Sequence, residues 1–369
     1  MAGELEAIGL PAAVEPTYVH PQWPAVHLLH CMLALAGSLL AGIQPAIGFA
    51  LVLVAATSFY LDLSGRLYLL RLIFFRRASQ NVVAPRLPDS AEPDKEARVF
   101  VTAHYDTGLT GAAYNDWAIT AFERVRRLWP ARTSPQAVIF WSMAFLLIPL
   151  GLRMAGLEGE WIALLQLPGT VVLIVAAFMI GEIGLSPPSP GANDNAAGVA
   201  AALAVAERTA ANPPENLRVH VLLCGAGEST GEGARAFLRG HRAELDRERT
   251  FFIDIDSPGR GSPRWVELEM PVLAQPAHPT LAELAEALAE GDPDRAALSL
   301  GPAGTASHAG ARGYPALALT AREDEAFVPA GHHTPGDGPE RVSAESVEAV
   351  AAFASDLISL LDRDLGRRN

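Results

Sequence analysis

Charge is missing over long stretches of this chain. From Pro16 to Leu61 there is no Asp, Glu, Lys or Arg, and Thr133–Leu152 and Trp161–Gly181 are uncharged as well. Runs of that length exclude an ordinary solvated surface there. Cysteine is scarce: Cys31 and Cys224 alone exclude a disulfide scaffold and a cysteine-rich zinc module. Basic residues are in deficit, 28 Lys and Arg against 41 Asp and Glu for a net charge of −13, which excludes the basic footprint of a nucleic-acid binder. With 50% hydrophobic and 19% charged residues and a mean hydropathy of +0.20, the chain is also too apolar for intrinsic disorder. Its 369 residues hold two or three domains' worth of material, or one large α/β domain with additions.

What the uncharged stretches contain is mostly Leu, Ala, Val, Ile and Phe. A span of the hydrocarbon core needs about 20 apolar residues. The first stretch therefore predicts a hairpin of two spans, near 24–42 and 45–61, joined at Gly42–Pro45. Thr133–Leu152 and Trp161–Gly181 predict a second hairpin around the polar loop 153–160, with Trp141 and Trp161 near the ends where interfacial aromatics sit. Buried core helices of a soluble domain are the alternative, and four such stretches in two pairs argue against it. A cleaved signal peptide fits poorly, because Glu4, Glu6 and Glu15 precede the first run and the run is too long. Arg66, Arg71, Arg76 and Arg77 follow the first hairpin and Arg124, Arg126, Arg127 and Arg132 precede the second, while the hairpin loops hold only Arg153. The positive-inside rule then puts 63–135 and both termini in the cytoplasm of a bacterial-type inner or plasma membrane. The segment 66–77, with aliphatic and aromatic residues between arginines, is expected to lie along the membrane surface.

The remainder predicts an α/β domain. Short apolar strands are expected at 97–103, 217–223, 251–256 and 316–319, with helices at 195–208, 232–242, 281–289 and 343–361 between and after them. Alternation of this kind implies a mostly parallel central sheet with helices on both faces. The expected division is a tail at 1–23, a membrane hairpin at 24–62, a juxtamembrane segment and linker at 63–96, a first part of the domain at 97–135, an inserted hairpin at 136–184, the main part at 185–363 and a charged tail at 364–369.

In such folds polar residues at strand ends carry the chemistry. His104 and Asp106 follow the first strand, Glu228 follows the second, and Asp256 ends the third. Asp194 stands in Pro-Gly-Ala-Asn-Asp-Asn, His308 precedes the fourth strand, and His332 and His333 follow it. Two aspartates in the apolar strand Phe-Phe-Ile-Asp-Ile-Asp are costly unless paired or metal-bound. One carboxylate bridging two ions, with a histidine and a further carboxylate on each, makes a two-metal hydrolase site.

The order of these pieces resembles the M28 family of zinc metallopeptidases over 97–112 and 185–361. The strand-end His-x-Asp is matched by His104 and Asp106. The Pro-Gly-Ala-x-Asp segment is matched by Pro190–Gly198, the Gly-Ala-Glu-Glu turn by Gly225–Gly233, and the Asn-x-Asp strand by Asp254–Asp256. The late His is matched by His308 ahead of Gly313, Tyr314 and Pro315. The resemblance implies a zinc-exopeptidase-like fold, two divalent ions with zinc as the metal, and a peptide or amide substrate. It makes Asp194 the bridging ligand, His104 and Glu228 ligands of one ion, Asp256 and His308 ligands of the other, and His333 the fallback for His308. Asp106 would fix the tautomer of His104. The interval between His104 and Asp194 is far longer than the family's, and the excess contains the second hairpin.

One position departs from the family. Its general-base glutamate is Gly227 here. Glu228 or Glu232, one helical turn on, would have to take the proton, or the chain is a degenerate member that binds metal as a scaffold. In that last case Gly227→Glu is expected to create activity. A transporter is disfavoured because the expected spans carry no internal charge. Lipid bilayer and substrate are the implied partners, nucleic acid is not, and a second copy of the chain is left open.

Overall fold

The computed structural model describes residues 1–85, 87, 96–128, 133–270 and 272–368. Most of the expected linker at 85–96, Arg132 and the last residue of the charged tail fall outside them.

Ten helices follow a short first one, α1 (Ala2–Ala7): α2 (Trp23–Leu40), α3 (Pro45–Leu63), α4 (Asp116–Leu128), α5 (Pro135–Met154), α6 (Glu160–Ile183), α7 (Ala197–Ala211), α8 (Glu232–Gly240), α9 (Pro279–Glu290), α10 (Thr305–Gly310) and α11 (Ala344–Arg368). The four expected spans are α2, α3, α5 and α6, each long and apolar enough to cross a membrane. Proline opens α3 and α5, where its missing N–H costs nothing, and Ser134 caps α5 by accepting from the Ala137 N–H. The four helices share an apolar cluster that includes Cys31, Phe59, Met143 and Leu173. Gly37 and Gly48 let the backbones of α2 and α3 touch: a Cβ on Gly48 would stand 2.5 Å from the Gly37 carbonyl oxygen. Inside this pair His30 Nδ1–H donates to the Val26 carbonyl (2.7 Å), leaving Nε2 to accept from Ser58 (2.9 Å).

The strands are β1 (Ala13–Val19), β2 (Arg77–Ala84), β3 (Ala97–His104), β4 (Leu217–Cys224), β5 (Thr250–Ile255), β6 (Ser262–Val266), β7 (Leu268–Glu269), β8 (Gln275–Pro276), β9 (Ala297–Leu298) and β10 (Ala316–Arg322). Eight of them form one mixed sheet in the order β1-β2-β4-β3-β5-β10-β6-β9. The central four, β4-β3-β5-β10, are parallel and are the four strands expected from sequence. They are apolar on both faces because helices cover both: α7, α9 and α11 pack on one apolar layer, and α8 and α10 on the other. The flanking pairs β1/β2, β2/β4 and β10/β6 are antiparallel.

Two of these strands correct the sequence reading. Residues 13–19, expected in a tail, form the edge strand β1, whose exposed positions and Pro16 suit an edge with no further neighbour. Residues 77–84, expected in a juxtamembrane linker, pair between β1 and β4. Between α3 and β2, Leu67, Leu72, Ile73 and Phe75 are exposed as a surface-lying segment requires, but Arg71 among them is fully buried. Its Nε and Nη2 donate to the two oxygens of Asp62 at the end of α3 (2.7 Å each), and Nη1 donates to the His20 carbonyl (3.1 Å) and to Glu232 of α8 (3.3 Å). Arg235 of α8 donates to the carbonyls of Asp62 (3.1 Å) and Leu63 (2.6 Å), capping the C-terminus of α3. Two buried arginines thus join the first apolar hairpin to the sheet domain.

Candidate metal centre

The parallel strands deliver their C-terminal ends to one place. His104 is the last residue of β3, Asp256 follows β5, and Glu228 lies in the loop between β4 and α8. The segment ahead of α7 brings Asp194, and the loop after β10 brings His332 and His333.

Asp194 is at the middle. Its two oxygens face different partners: Oδ1 is 3.3 Å from His104 Nε2, and Oδ2 is 2.7 Å from His332 Nδ1 and 3.2 Å from His333 Nε2. Ligand atoms of His104, Asp194 and Asp256 lie within 4.8 Å of one another, and those of Asp194, His332 and His333 do likewise. Glu228 joins the second group through His333, with Nε2 at 3.2 and 3.1 Å from its two oxygens. The geometry is that of a candidate two-metal site with one shared carboxylate.

Asp194 is almost fully buried, and its placement is over-determined. The Asn193 and Asp194 N–H groups each donate to Asp337 (3.1 Å), itself fully buried. On the other side Asn193 accepts from Gly259 N–H (2.6 Å), while Asn195 accepts from Ser257 N–H (3.0 Å) and donates to the Ile255 carbonyl (2.9 Å). These bonds stitch the segment to the end of β5 and set Asp194 opposite Asp256. His104 Nδ1–H donates to the backbone carbonyl of Asp106 (3.0 Å), which turns Nε2 toward Asp194.

The residues suit divalent cations. Asp194 Oδ2 and His332 Nδ1 are buried, 2.7 Å apart and without a hydrogen bond, a costly state for groups so placed unless a cation joins them. Burial opposes ionisation throughout, yet mutual attraction wins. Asp106 and Asp194 hold the His104 pKa well above its usual value, Glu228 and Asp194 do the same for His333, and the three histidines hold Asp194 well below the carboxylate range. Protons therefore compete with metal for this cluster.

Several expected roles move. His104 is grouped with Asp256 across Asp194, and Glu228 lies against His333, where the resemblance implied His104 with Glu228 and Asp256 with His308. His308 is in neither group; on α10 it is buried against Thr230, Gly231 and Arg312. The late histidine at the site is His333, with His332 beside it, because the loop after β10 folds back over the strand ends and α10 does not. Glu232 is drawn away to Arg71 and the His20 N–H, so it cannot reach back to the site. The Asp106 carboxylate lies 3.7 Å from His104 Nδ1 and also accepts from the N–H groups of Gly227 (2.7 Å) and Glu228 (3.1 Å), fixing the turn that presents Glu228. A Cβ at Gly227 would stand 2.3 Å from His104 Cβ, so Gly227→Glu has no room and is not expected to create activity. Of the strand's two aspartates, Asp256 faces the site. Asp254 is satisfied instead by Thr102 and the Thr305 N–H, and burial lifts its pKa to about 6.

Asp337 and Tyr114 escaped the sequence reading. Asp337 had a signal in its place two residues past Thr-Pro in a polar loop, but its function through backbone N–H groups leaves no pattern. Tyr114, whose ring edge meets His333 at 4.6 Å, had none.

The sequence profile of peptidase family M28 matches residues 177–358, just under half the chain. No curated protein sequence matches. Among solved structures, a glutaminyl cyclase from Porphyromonas gingivalis superposes with a TM-score of 0.51 at 11% identity, over 98% of this chain and 87% of that one. A Zn-dependent exopeptidase from Parabacteroides distasonis superposes with a TM-score of 0.50 at 12% identity, over 98% and 86%. A zinc aminopeptidase from Bacillus subtilis gives 0.47 at 17% identity over 78% of this chain, which spans about half (51%) of its length. The fold is that of the zinc exopeptidases, with four helices added that are long and apolar enough to cross a membrane.

Proposed function

We propose that the chain is a membrane-anchored, metal-dependent hydrolase of peptide or amide bonds, aminopeptidase-like, with two divalent ions. The observation that carries the proposal is the division of Asp194: one oxygen toward His104 and Asp256, the other toward His332 and His333, with Glu228 joined through His333. His104, Asp194 and Asp256 would hold one ion; Asp194, Glu228 and His333 the other. Zinc follows from the family resemblance. Bound ions there would supply a water of lowered pKa and polarise the scissile carbonyl. The protein's own part is to keep Asp194 fixed through Asp337, to keep Glu228 fixed through Asp106, and to move a proton. With glycine at 227 and Glu232 bound elsewhere, that transfer falls to His332, whose Nδ1 faces Asp194 and whose second neighbour is the edge of the Tyr114 ring.

The division of the chain is part of the same proposal: hairpins at 24–62 and 136–184 in the bilayer, and the parts at 97–135 and 185–363 together forming the hydrolase on the cytoplasmic side, so that peptides inside the cell are the substrates. A reporter fused after residue 369 that is active only outside the cell would refute the sidedness.

Elemental analysis of detergent-purified protein after exhaustive buffer exchange and metal reload tests the site. About two ions per chain are expected, falling with Asp194→Ala, together with peptide hydrolysis that chelation abolishes. A well-folded sample that holds no metal would refute the mechanism. Gly227 favours one second reading, a metal-stabilised scaffold without turnover: it predicts two ions, no hydrolysis, and partner binding that survives Asp194→Ala.

A further inference from the structure

A cavity of about 440 Å³ opens between the end of α3, residues 272–275 and α10, apart from the metal centre. One wall is apolar: Tyr60, Leu63, Val272 and Leu273. Leu63 and Val272 belong to the buried apolar cluster of the four long helices and Leu273 beside them is exposed, so this wall adjoins the helix bundle. The other wall is cationic and polar, with Arg66, His308 and Arg312. Among the described residues no acidic side chain lines the cavity, in a chain whose net charge is −13. Behind it Arg235 is fully buried, its two Nη groups donating to carbonyls and hydroxyls, and Arg312 donates to the His308 carbonyl (2.9 Å). Among the described residues no carboxylate forms an ion pair with Arg66, Arg235 or Arg312. The nearby arginines and burial hold His308 well below its usual pKa, so its ring is neutral there and the uncompensated positive charge belongs to the arginines.

We infer that this cavity binds the headgroup of an anionic phospholipid, its phosphate between Arg66 and Arg312 and its acyl chains along the apolar wall of α3. The inference rests on reading α2, α3, α5 and α6 as membrane spans. Arg66 comes just past the last residue of α3, at the depth where a lipid phosphate lies if that helix crosses the bilayer. A soluble anion would need the cationic wall alone; the apolar wall, continuous with the helix bundle, selects a lipid. The His308 ring packs on Gly231, so a bound headgroup also borders the loop that presents Glu228.

The test uses the full chain in neutral detergent, with native mass spectrometry reading retained phosphatidylglycerol against phosphatidylcholine of the same acyl chains. The wild type is expected to retain one phosphatidylglycerol with a preference of about tenfold, since each basic side chain near a phosphate adds roughly a several-fold gain. The double variant Arg66→Ala/Arg312→Ala is expected to lose that preference, and Arg66→Lys/Arg312→Lys to keep most of it. Ala311→Trp, which fills the exposed mouth and leaves both arginines, should also lose the lipid, so the result stands even if the alanine variant misfolds. Equal retention of the two lipids by the wild type would overturn the inference. So would displacement of phosphatidylglycerol by millimolar inorganic phosphate, which would mark a free-anion site. Alkaline carbonate extraction separates the two readings: a chain released from membranes refutes the spans, whereas a chain that resists extraction yet shows no lipid preference refutes this site alone.

Discussion

Two buried charge clusters share the stretch after β4. Glu228 enters one, with Asp194 and the histidines; Glu232, a turn later, enters the other, with Arg71, Asp62 and the His20 backbone. In the Arg71 cluster the ion pairs are complete: both carboxylate oxygens of Asp62 meet an arginine N–H at 2.7 Å, and the remaining Arg71 donor goes to a carbonyl and a second carboxylate, leaving only His27 Nε2, 3.4 Å from Asp62, without a hydrogen bond. The Asp194 cluster is open: Asp194 Oδ2 and His332 Nδ1 face each other at 2.7 Å without a hydrogen bond, and the outer ring nitrogen of His333, Nδ1, is unpartnered as well. A closed cluster serves geometry, here the seating of an apolar hairpin on a sheet domain. An open one is unfinished without a ligand. Burial alone does not separate them, because both are deeply buried; hydrogen-bond satisfaction does.

Four substitutions break or sharpen that contrast. His332→Ala in the open cluster is expected to cut kcat by about 10²–10⁴-fold while the chain still holds its two ions, because a general acid–base group is lost and the proposed ligands remain. Steady-state kinetics with metal analysis on one preparation checks it; a loss of metal would instead make His332 a ligand. In the closed cluster, Arg71→Ala strands Asp62 and Glu232 and is expected to destabilise the chain by about 3–5 kcal/mol, seen as a fall in Tm in detergent. Asp194→Ala should cost the metal-free protein less, because the histidines it leaves behind can give up their protons, whereas Arg71→Ala leaves two buried carboxylates without their cation. Equal losses for the two would erase the distinction. Asp337→Asn keeps the shape but weakens the hold on the Asn193 and Asp194 N–H groups, and metal affinity is expected to fall about 10–100-fold at unchanged Tm.

The smallest effect lies outside both clusters. His241, after α8, contacts Glu15 of β1 (3.0 Å) and Glu244 (2.6 Å). Burial opposes its charge, but the two glutamates prevail and lift its pKa to about 8. The folded state then binds the proton more tightly than the unfolded one. The stabilisation is complete below pH about 6.5 and is lost as pH rises through about 8. His241→Gln should flatten that slope, by about 1 kcal/mol after allowance for solvent screening. Denaturation of both proteins between those pH values decides it.

The legible parts of the fold were those written in local pattern. The four central strands and the four long apolar helices stood out because each is a continuous run whose length and hydropathy suffice. β1 and β2 did not. An edge strand with alternating exposure and a proline looks like a loop until its partner is known, and residues 77–84 pair across the sheet to a strand more than a hundred residues away. Strand-end position singled out His104, Glu228 and Asp256, and the family resemblance added Asp194; the structure brings these side chains near one another. His308 and His333 were not distinguishable, since both are histidines in turns beside β10, and only the path of the chain says which turn folds over the strand ends.

By itself the sequence determined the inventory: which segments are apolar enough to leave water, which strands are buried on both faces, and which residues at strand ends can bind metal. These follow from composition and period, which are properties of neighbours in the chain. Tertiary structure decided which oxygen of Asp194 faces which histidine, that Glu232 goes to Arg71 and Glu228 to His333, and that Gly227 has no room for a side chain beside His104. Those are relations between residues far apart in sequence. Their energies depend on distance and burial, and both exist only once the sheet has brought its strand ends together.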